Sequence, residues 1–237
     1  LITGAARNIG AVIAKELHSC GMNVIVHYNN SEEEARDLVK KLNGNRHDSA
    51  ISIKADLEKE DHYIPLVNTA LNFKGNIDVL INNASAFYQT SLNNLNTKQW
   101  NELININLKA PLFISQLAAK SLGESKGCII NITDTHASNP LKDHTIYCIS
   151  KAGLVTLTKS LAKELAPNIR VNGISPGAIT WPNNMDNKTK ENIINQTILK
   201  KKGNAEDIAK SIVFLINDAD YITGQILNVD GGKTLLT

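Results

Sequence analysis

Tyr147 and Lys151 stand four residues apart in a stretch where Leu154, Leu157, Leu161 and Leu165 recur at helical spacing. The two side chains therefore share one face of a predicted helix. That pairing can move a proton. A phenol ionises near pH ~10, so it serves as a general acid at neutral pH only when its pKa is drawn down. A neighbouring ammonium stabilises the phenolate. A drop of three units takes ~4 kcal/mol of differential interaction, much of which one lysine and a bound cation are expected to supply. Asp134 closes the predicted strand just before this helix and brings a carboxylate to the same end of the fold.

A second chemistry lies at the other end of the chain. Thr3-Gly4-Ala5-Ala6-Arg7-Asn8-Ile9-Gly10 follows a short apolar run and opens a helix carrying Ile9, Val12, Ile13 and Leu17. Gly4 permits a tight turn and Gly10 a close helix–strand approach, while the free N–H groups at the helix start suit a pyrophosphate. The second strand ends in His27-Tyr28-Asn29-Asn30-Ser31, without the acid that would bind an adenosine 2′-hydroxyl. Arg7, His27 and Ser31 can meet a 2′-phosphate instead, so NADP(H) is the expected cofactor. Ser31-Glu32-Glu33-Glu34 also reads as a capping box.

These residues need a scaffold that gathers strand ends. The chain alternates strands (24–27, 50–54, 77–82, 127–133, 170–175, 226–229) with helices, including a long one near 100–122 with Pro111 inside it, one near 145–166, and two near 188–200 and 205–217. That alternation predicts right-handed βαβ units. The expected fold is α/β, a single Rossmann-like doubly wound domain over residues 1–237, with a parallel sheet of about seven strands covered by helices on both faces. Ligands of such folds sit at the carboxyl ends of the strands. The segment from Trp181 to Lys188 matches no recognised pattern.

Composition excludes several classes. Of 237 residues, 25 are Lys or Arg and 23 Asp or Glu, a formal charge of +2, which argues against a nucleic-acid partner. Lys200–Lys202 reads as a solvated helix end. No apolar run reaches ~18 residues, so no membrane span is expected. Three cysteines without motif spacing (Cys20, Cys128, Cys148) fit a reducing, cytoplasmic setting. The chain opens on Leu1-Ile2-Thr3 without an initiator Met, so a few preceding residues are expected, and no leader sequence is recognised. Histidines show no metal spacing, and His18 reads as a helix-surface residue. Asparagine is abundant throughout, which weakens any single Asn as a signal.

Thr3-Gly4…Gly10, Asn82-Asn83-Ala84, Tyr147…Lys151 and Ser175-Pro176-Gly177 together resemble the short-chain dehydrogenase/reductase family, over essentially the whole chain. Three features resemble its pteridine and dihydromonapterin reductase branch. Asn8 replaces the usual middle Gly of the loop. Asp134 stands where most members carry a Ser. Asn82-Asn83-Ala84-Ser85-Ala86-Phe87-Tyr88 matches that branch's Asn-Asn-Ala-Ser-x-Phe-Tyr. The branch often has an Arg where this chain has Asn30.

The resemblance implies NADPH-dependent reduction of a dihydropterin C=N bond, with folate as a further candidate. Tyr147 would donate the proton or order the water that does, and Lys151 would tune Tyr147 and hold the nicotinamide ribose. Asp134 would anchor Tyr147 or a substrate amine, and Asn107 would support a water chain to Lys151. Phe87 would stack on the pterin, with the nicotinamide on the other face. Ser85 would touch cofactor, substrate or both, and Asp56 and Leu57 would lie at the adenine. The backbone at Gly4, Asn8, Ile9, Tyr28, Asn29, Asn83, Ala84, Pro176 and Gly177 would complete the cofactor site. A homotetramer built through the long helices is also implied.

Other readings fare worse. Gly173-Ile174-Ser175-Pro176-Gly177 fits a nucleophile elbow, yet no His follows it, as a hydrolase of that fold requires. A 3-oxoacyl-carrier-protein reductase would share the cofactor, but a carbonyl oxyanion prefers a hydroxyl to a carboxylate at position 134. A polyol dehydrogenase would want an acid after the second strand. A cofactor-sensing regulator would not need Tyr147 and Lys151 together.

Overall fold

The computed structural model describes residues 1–181 and 185–236. In chain order the elements are α1 (Asn8–Ser19), β1 (Val24–Tyr28), α2 (Glu32–Asn45), β2 (Ala50–Lys54), α3 (Tyr63–Lys74), β3 (Val79–Asn82), α4 (Thr97–Ile104), α5 (Ala110–Glu124), β4 (Cys128–Ile132), α6 (Thr145–Leu165), β5 (Arg170–Pro176), α7 (Asn187–Asn195), α8 (Ala205–Asn217) and β6 (Ile226–Val229). Every strand pairing is parallel. β1 pairs with β2, and β3–β4–β5–β6 run side by side. The expected first strand is reduced to bridges at Ile2, which joins the two groups by pairing with Val26 on one side and Ile81 on the other. The sequence expectation of about seven strands thus becomes six, plus this one-residue link among the described residues.

Neighbouring strand residues point to opposite faces, and each face has its own core. Val24, Val26, Ile81 and Ile130 pack with Ile13, Leu17, Leu38, Ile208 and Ile212 from α1, α2 and α8. Ile25, Leu80 and Ile129 pack on the other side with Leu66, Ile114, Leu122 and Leu161 from α3, α5 and α6. Strands that are apolar on successive residues are what a sheet covered twice requires.

Two local expectations are corrected. The long helix around Pro111 does not simply kink. It passes through a π-turn at Asn105–Lys109 and resumes as α5 with Pro111 in its first turn. Ser175 lies inside β5, 3% exposed, in keeping with the strand predicted over 170–175 and with setting the elbow reading aside. His18 is buried on α1 and meets Ser49 Oγ at 2.7 Å, not a helix-surface residue at all. No helix among the described residues is long and apolar enough to cross a membrane.

Candidate active site

The order β2–β1–Ile2–β3 reverses direction of progress at Ile2, and the loop that follows is the one read as a phosphate loop. Its shape is fixed by close packing. Gly4 adopts φ +62, and a Cβ there would come 2.8 Å from Ala84 Cα. A Cβ on Gly10 would lie 2.4 Å from Gly4 O, so neither position accepts a side chain without movement. Thr3 Oγ1 accepts the N–H groups of Asn83 and Ala84 at 2.9 and 3.0 Å, and Asn83 Nδ2 donates to Thr3 O and Gly4 O. The Asn83 amide is therefore spent on bracing the loop. The N-cap of α1, Arg7, offers no side-chain cap, and no acid stands in the first turn. This twelve-residue helix start fits the pyrophosphate of a dinucleotide.

His27, expected beside the cofactor, belongs instead to the bracing. It is 2% exposed. Its Nδ1 accepts from Gly4 N at 2.9 Å and its Nε2 lies 3.0 Å from Ala55 O, which fixes the neutral tautomer with hydrogen on Nε2. No ring nitrogen is left for a phosphate. Burial pushes its pKa down to about 4. The folded protein thus resists protonation, while the unfolded chain takes the proton near ~6.5. Stability should be complete above pH ~6.5 and fall as pH drops towards 4, by about 3 kcal/mol from His27 alone. Urea unfolding midpoints between pH 7.5 and 4 should show this slope, and His27→Gln should flatten it. An unchanged slope would contradict the assignment.

Tyr28 is also buried, so only its backbone remains at the strand end, and Leu57 is 4% exposed in the core. Asn29 and Asp56, from the ends of β1 and β2, are brought together at 3.4 Å. Asn30 is exposed and Ser31 half-buried beside them. The predicted Ser31–Glu34 capping box does not form. Ser31 makes no side-chain cap bond, and the Glu34 carboxylate instead lies 3.8 Å from Arg7 Nη1.

At the end of β4 the second cluster assembles. Tyr147 Oη donates to Asp134 Oδ2 at 2.7 Å, and Lys151 Nζ, one turn further along α6, donates to Ile132 O at 2.9 Å. The ammonium sits 5.8 Å from the Tyr147 ring centroid. Asp134 Oδ1 accepts from His136 N at 2.8 Å, which fixes the carboxylate. Asn107, inside the π-turn, clasps Ala86 through both N–H and carbonyl (2.8 and 3.0 Å) and donates to Ser150 Oγ at 3.0 Å. It ties the Ser85–Phe87 segment to the helix that carries Tyr147 and Lys151. A π-turn at such a point is a frequent mark of a functional site.

The electrostatics differ from the sequence expectation in one respect. Tyr147 is not drawn towards neutrality. Burial first, then the charge and hydrogen bond of Asp134, push its pKa well above the ordinary phenol value, while a hydrogen bond with Ser85 opposes them. Lys151 cannot reverse this, because burial pulls its own pKa down to about 8, with Asp134 holding it up. The phenol is a protonated donor across neutral pH, not a near-phenolate.

Phe87 is 52% exposed. One face stacks on His144 at 4.7 Å and 15°, and the ring meets Tyr147 edge-on at 4.7 Å and 80°. Thr90 N donates to Asp143 O at 2.6 Å and holds this segment beside His144. His144 was not singled out from the sequence. Its position three residues before Tyr147, at the N-cap of α6, is the signal that would have found it. Pro176 ends β5 and Gly177 follows, with its N–H bonded to Val229 O. Of the loop read from Trp181 to Lys188, residues 182–184 lie outside the described residues.

Comparison with known proteins places these features in context. The family described as Enoyl-(Acyl carrier protein) reductase matches residues 4–234. Pteridine reductase 1 of Leishmania tarentolae is 35% identical over 99% of this chain and 96% of its own length. The 3-oxoacyl-[acyl-carrier-protein] reductase FabG of Staphylococcus epidermidis is 34% identical over 98% and 97%. The 3-oxoacyl-[acyl-carrier-protein] reductase of Synechocystis is 35% identical over 99% and 96%.

Proposed function

This chain belongs to the short-chain dehydrogenase/reductase family of NAD(P)-dependent oxidoreductases, and within it we propose that it reduces a dihydropterin to the tetrahydro form with NADPH. The observation that carries this reading is the 2.7 Å bond between Tyr147 and Asp134. An ionised carboxylate only accepts hydrogen bonds. It suits a ring edged with amino and N–H groups, and it suits poorly a carbonyl oxygen that gathers negative charge.

The nicotinamide cofactor, when bound, supplies a hydride to the carbon of the C=N bond. The nitrogen of that bond gains the electron pair and needs a proton, and Tyr147 gives it, directly or through a water. Asp134 holds the phenol in place by accepting its hydrogen, a bond Tyr147 gives up as it turns that hydrogen to the reacting nitrogen, and accepts from a substrate amine. Lys151, charged below about pH 8, offsets the charge left on Tyr147 until solvent refills the proton, and holds the cofactor ribose. Asn107 keeps Ser85 and Phe87 in register with α6. One dihydropterin, one NADPH and one proton give tetrahydropterin and NADP⁺. Arg7, Ser31 and the loop backbone hold the cofactor phosphates.

Phe87 offers the face not taken by His144 to the flat ring. Phe87→Ala should raise KM for a dihydropterin roughly tenfold, the size of one lost aromatic stack plus its buried area. It should leave kcat within about threefold and NADPH binding unchanged, as initial-rate kinetics and NADPH fluorescence titration would show. An unaltered KM would remove Phe87 from the substrate site. A homotetramer packed through α4–α6, where Trp100, Leu112 and Ile149 are exposed, belongs to the same proposal and is tested by light scattering.

Reduction of a 3-oxoacyl thioester is the second reading. What favours it is the equal identity and coverage of the 3-oxoacyl-carrier-protein reductases among the relatives. It requires the carboxylate of Asp134 to stand where a hydroxyl would serve better.

A further inference from the structure

The contact between α2 and the phosphate loop carries a consequence for cofactor choice, and it rests on the reading that the cofactor bears a 2′-phosphate. Three observations meet at this contact. Glu34, placed by sequence to cap its own helix by accepting from the Ser31 backbone N–H, instead turns its carboxylate to Arg7 on a different element, 3.8 Å away, and the Ser31 side chain makes no cap bond either. Glu32 has a partner within α2, Arg36 at 2.6 Å, so it does not share that role. Arg7 is the cation on the phosphate loop itself; His27 is buried and neutral with both nitrogens bonded, Asn29 and Asn30 carry no charge, and Lys59 and Arg36 are paired with Asp56 and Glu32.

We infer that Glu34 sets how strongly this site selects a 2′-phosphorylated adenosine, by competing with the phosphate for Arg7. Glu34 is a positioning residue that acts through Arg7. The pair is exposed, with side chains 62% and 48% accessible. Exposed pairs of this kind are weak, so a phosphate of nearly two charges displaces the carboxylate. The displaced carboxylate stays nearby on the first turn of α2 and repels the phosphate. Selection is therefore weaker than Arg7 alone would give.

The test is calorimetric binding of 2′,5′-ADP and of 5′-ADP to the full chain, with no turnover involved. Glu34→Gln should tighten 2′,5′-ADP roughly three- to tenfold, the range of one weak competing pair plus relieved repulsion, and should leave 5′-ADP unchanged. Arg7→Met should weaken 2′,5′-ADP about tenfold or more, and most of the Glu34→Gln gain should vanish in the double variant. Glu34 is exposed, so its variant should unfold at the same temperature as the parent. No tightening in Glu34→Gln, with Arg7→Met still weakening 2′,5′-ADP, overturns the inference and leaves the NADP reading standing. A gain that persists in full without Arg7 overturns the competition through Arg7. Equal affinity of the parent protein for both nucleotides overturns the NADP reading and the inference with it.

Discussion

Replacing Tyr147 with Phe should lower kcat for dihydropterin reduction by about 10²- to 10⁴-fold, the usual contribution of a positioned general acid. KM and NADPH affinity should stay within a few fold. The substitution removes one oxygen from a side chain that is 4% exposed and keeps the ring that Phe87 meets edge-on, so packing survives. What is lost is the proton beside the reacting nitrogen and the partner of Asp134 Oδ2. Part of the loss in stability is offset because Asp134 keeps its bond from His136 N. Single-turnover kinetics with NADPH in excess isolates the chemical step. A variant that retains more than about a tenth of the parent rate would show that Tyr147 is not the donor and that the proton arrives by another route.

The second large effect belongs to Asp134. Asp134→Asn keeps the shape but adds a donor and removes the charge. A substrate amine would then face an amide that accepts less well, and kcat/KM for the dihydropterin should fall about 10²-fold, in line with loss of a charge-assisted hydrogen bond. The pH profile gives a sharper signature. The negative charge of Asp134 raises both the Tyr147 and the Lys151 pKa. In the parent enzyme Lys151 loses its charge as pH rises through about 8, and activity should fall along that limb. Without Asp134 the ammonium is less favoured and the phenolate less penalised, so the alkaline limb should move to lower pH. A limb that stays in place, or moves up, would contradict the coupling between these three side chains.

The sequence carried much of this site because its motifs lie where strands end. Gly4 and Gly10 were readable from spacing, and the packing distances around them show why only glycine fits. Tyr147 and Lys151 were readable because four residues on a helix make one face. The pairing of Asp134 with Tyr147 came from resemblance rather than spacing, since it joins a strand end to a helix 13 residues on. Three features were misread for a common reason. His27 was taken for a ligand-facing residue, but a side chain on a strand end can turn inward, and burial decided which way. The Ser31–Glu34 box looked local, yet a loop 24 residues earlier in the chain supplied a cation that a local pattern does not contain. The phenol was expected to be drawn towards neutrality by Lys151 together with a bound cation; desolvation of both groups and the hydrogen-bonded Asp134 carboxylate push it the other way. The π-turn that aims Asn107 had no sequence signal beyond Pro111.

The central claim is the substrate, and one side-by-side assay addresses it. Purified protein should be given NADPH with 7,8-dihydrobiopterin, 7,8-dihydromonapterin, dihydrofolate and an acetoacetyl thioester, following NADPH oxidation. Turnover of a dihydropterin with the thioester inert is the result expected here. Turnover of the thioester with every pterin inert would contradict it, and would mean that the carboxylate of Asp134 serves a carbonyl substrate after all.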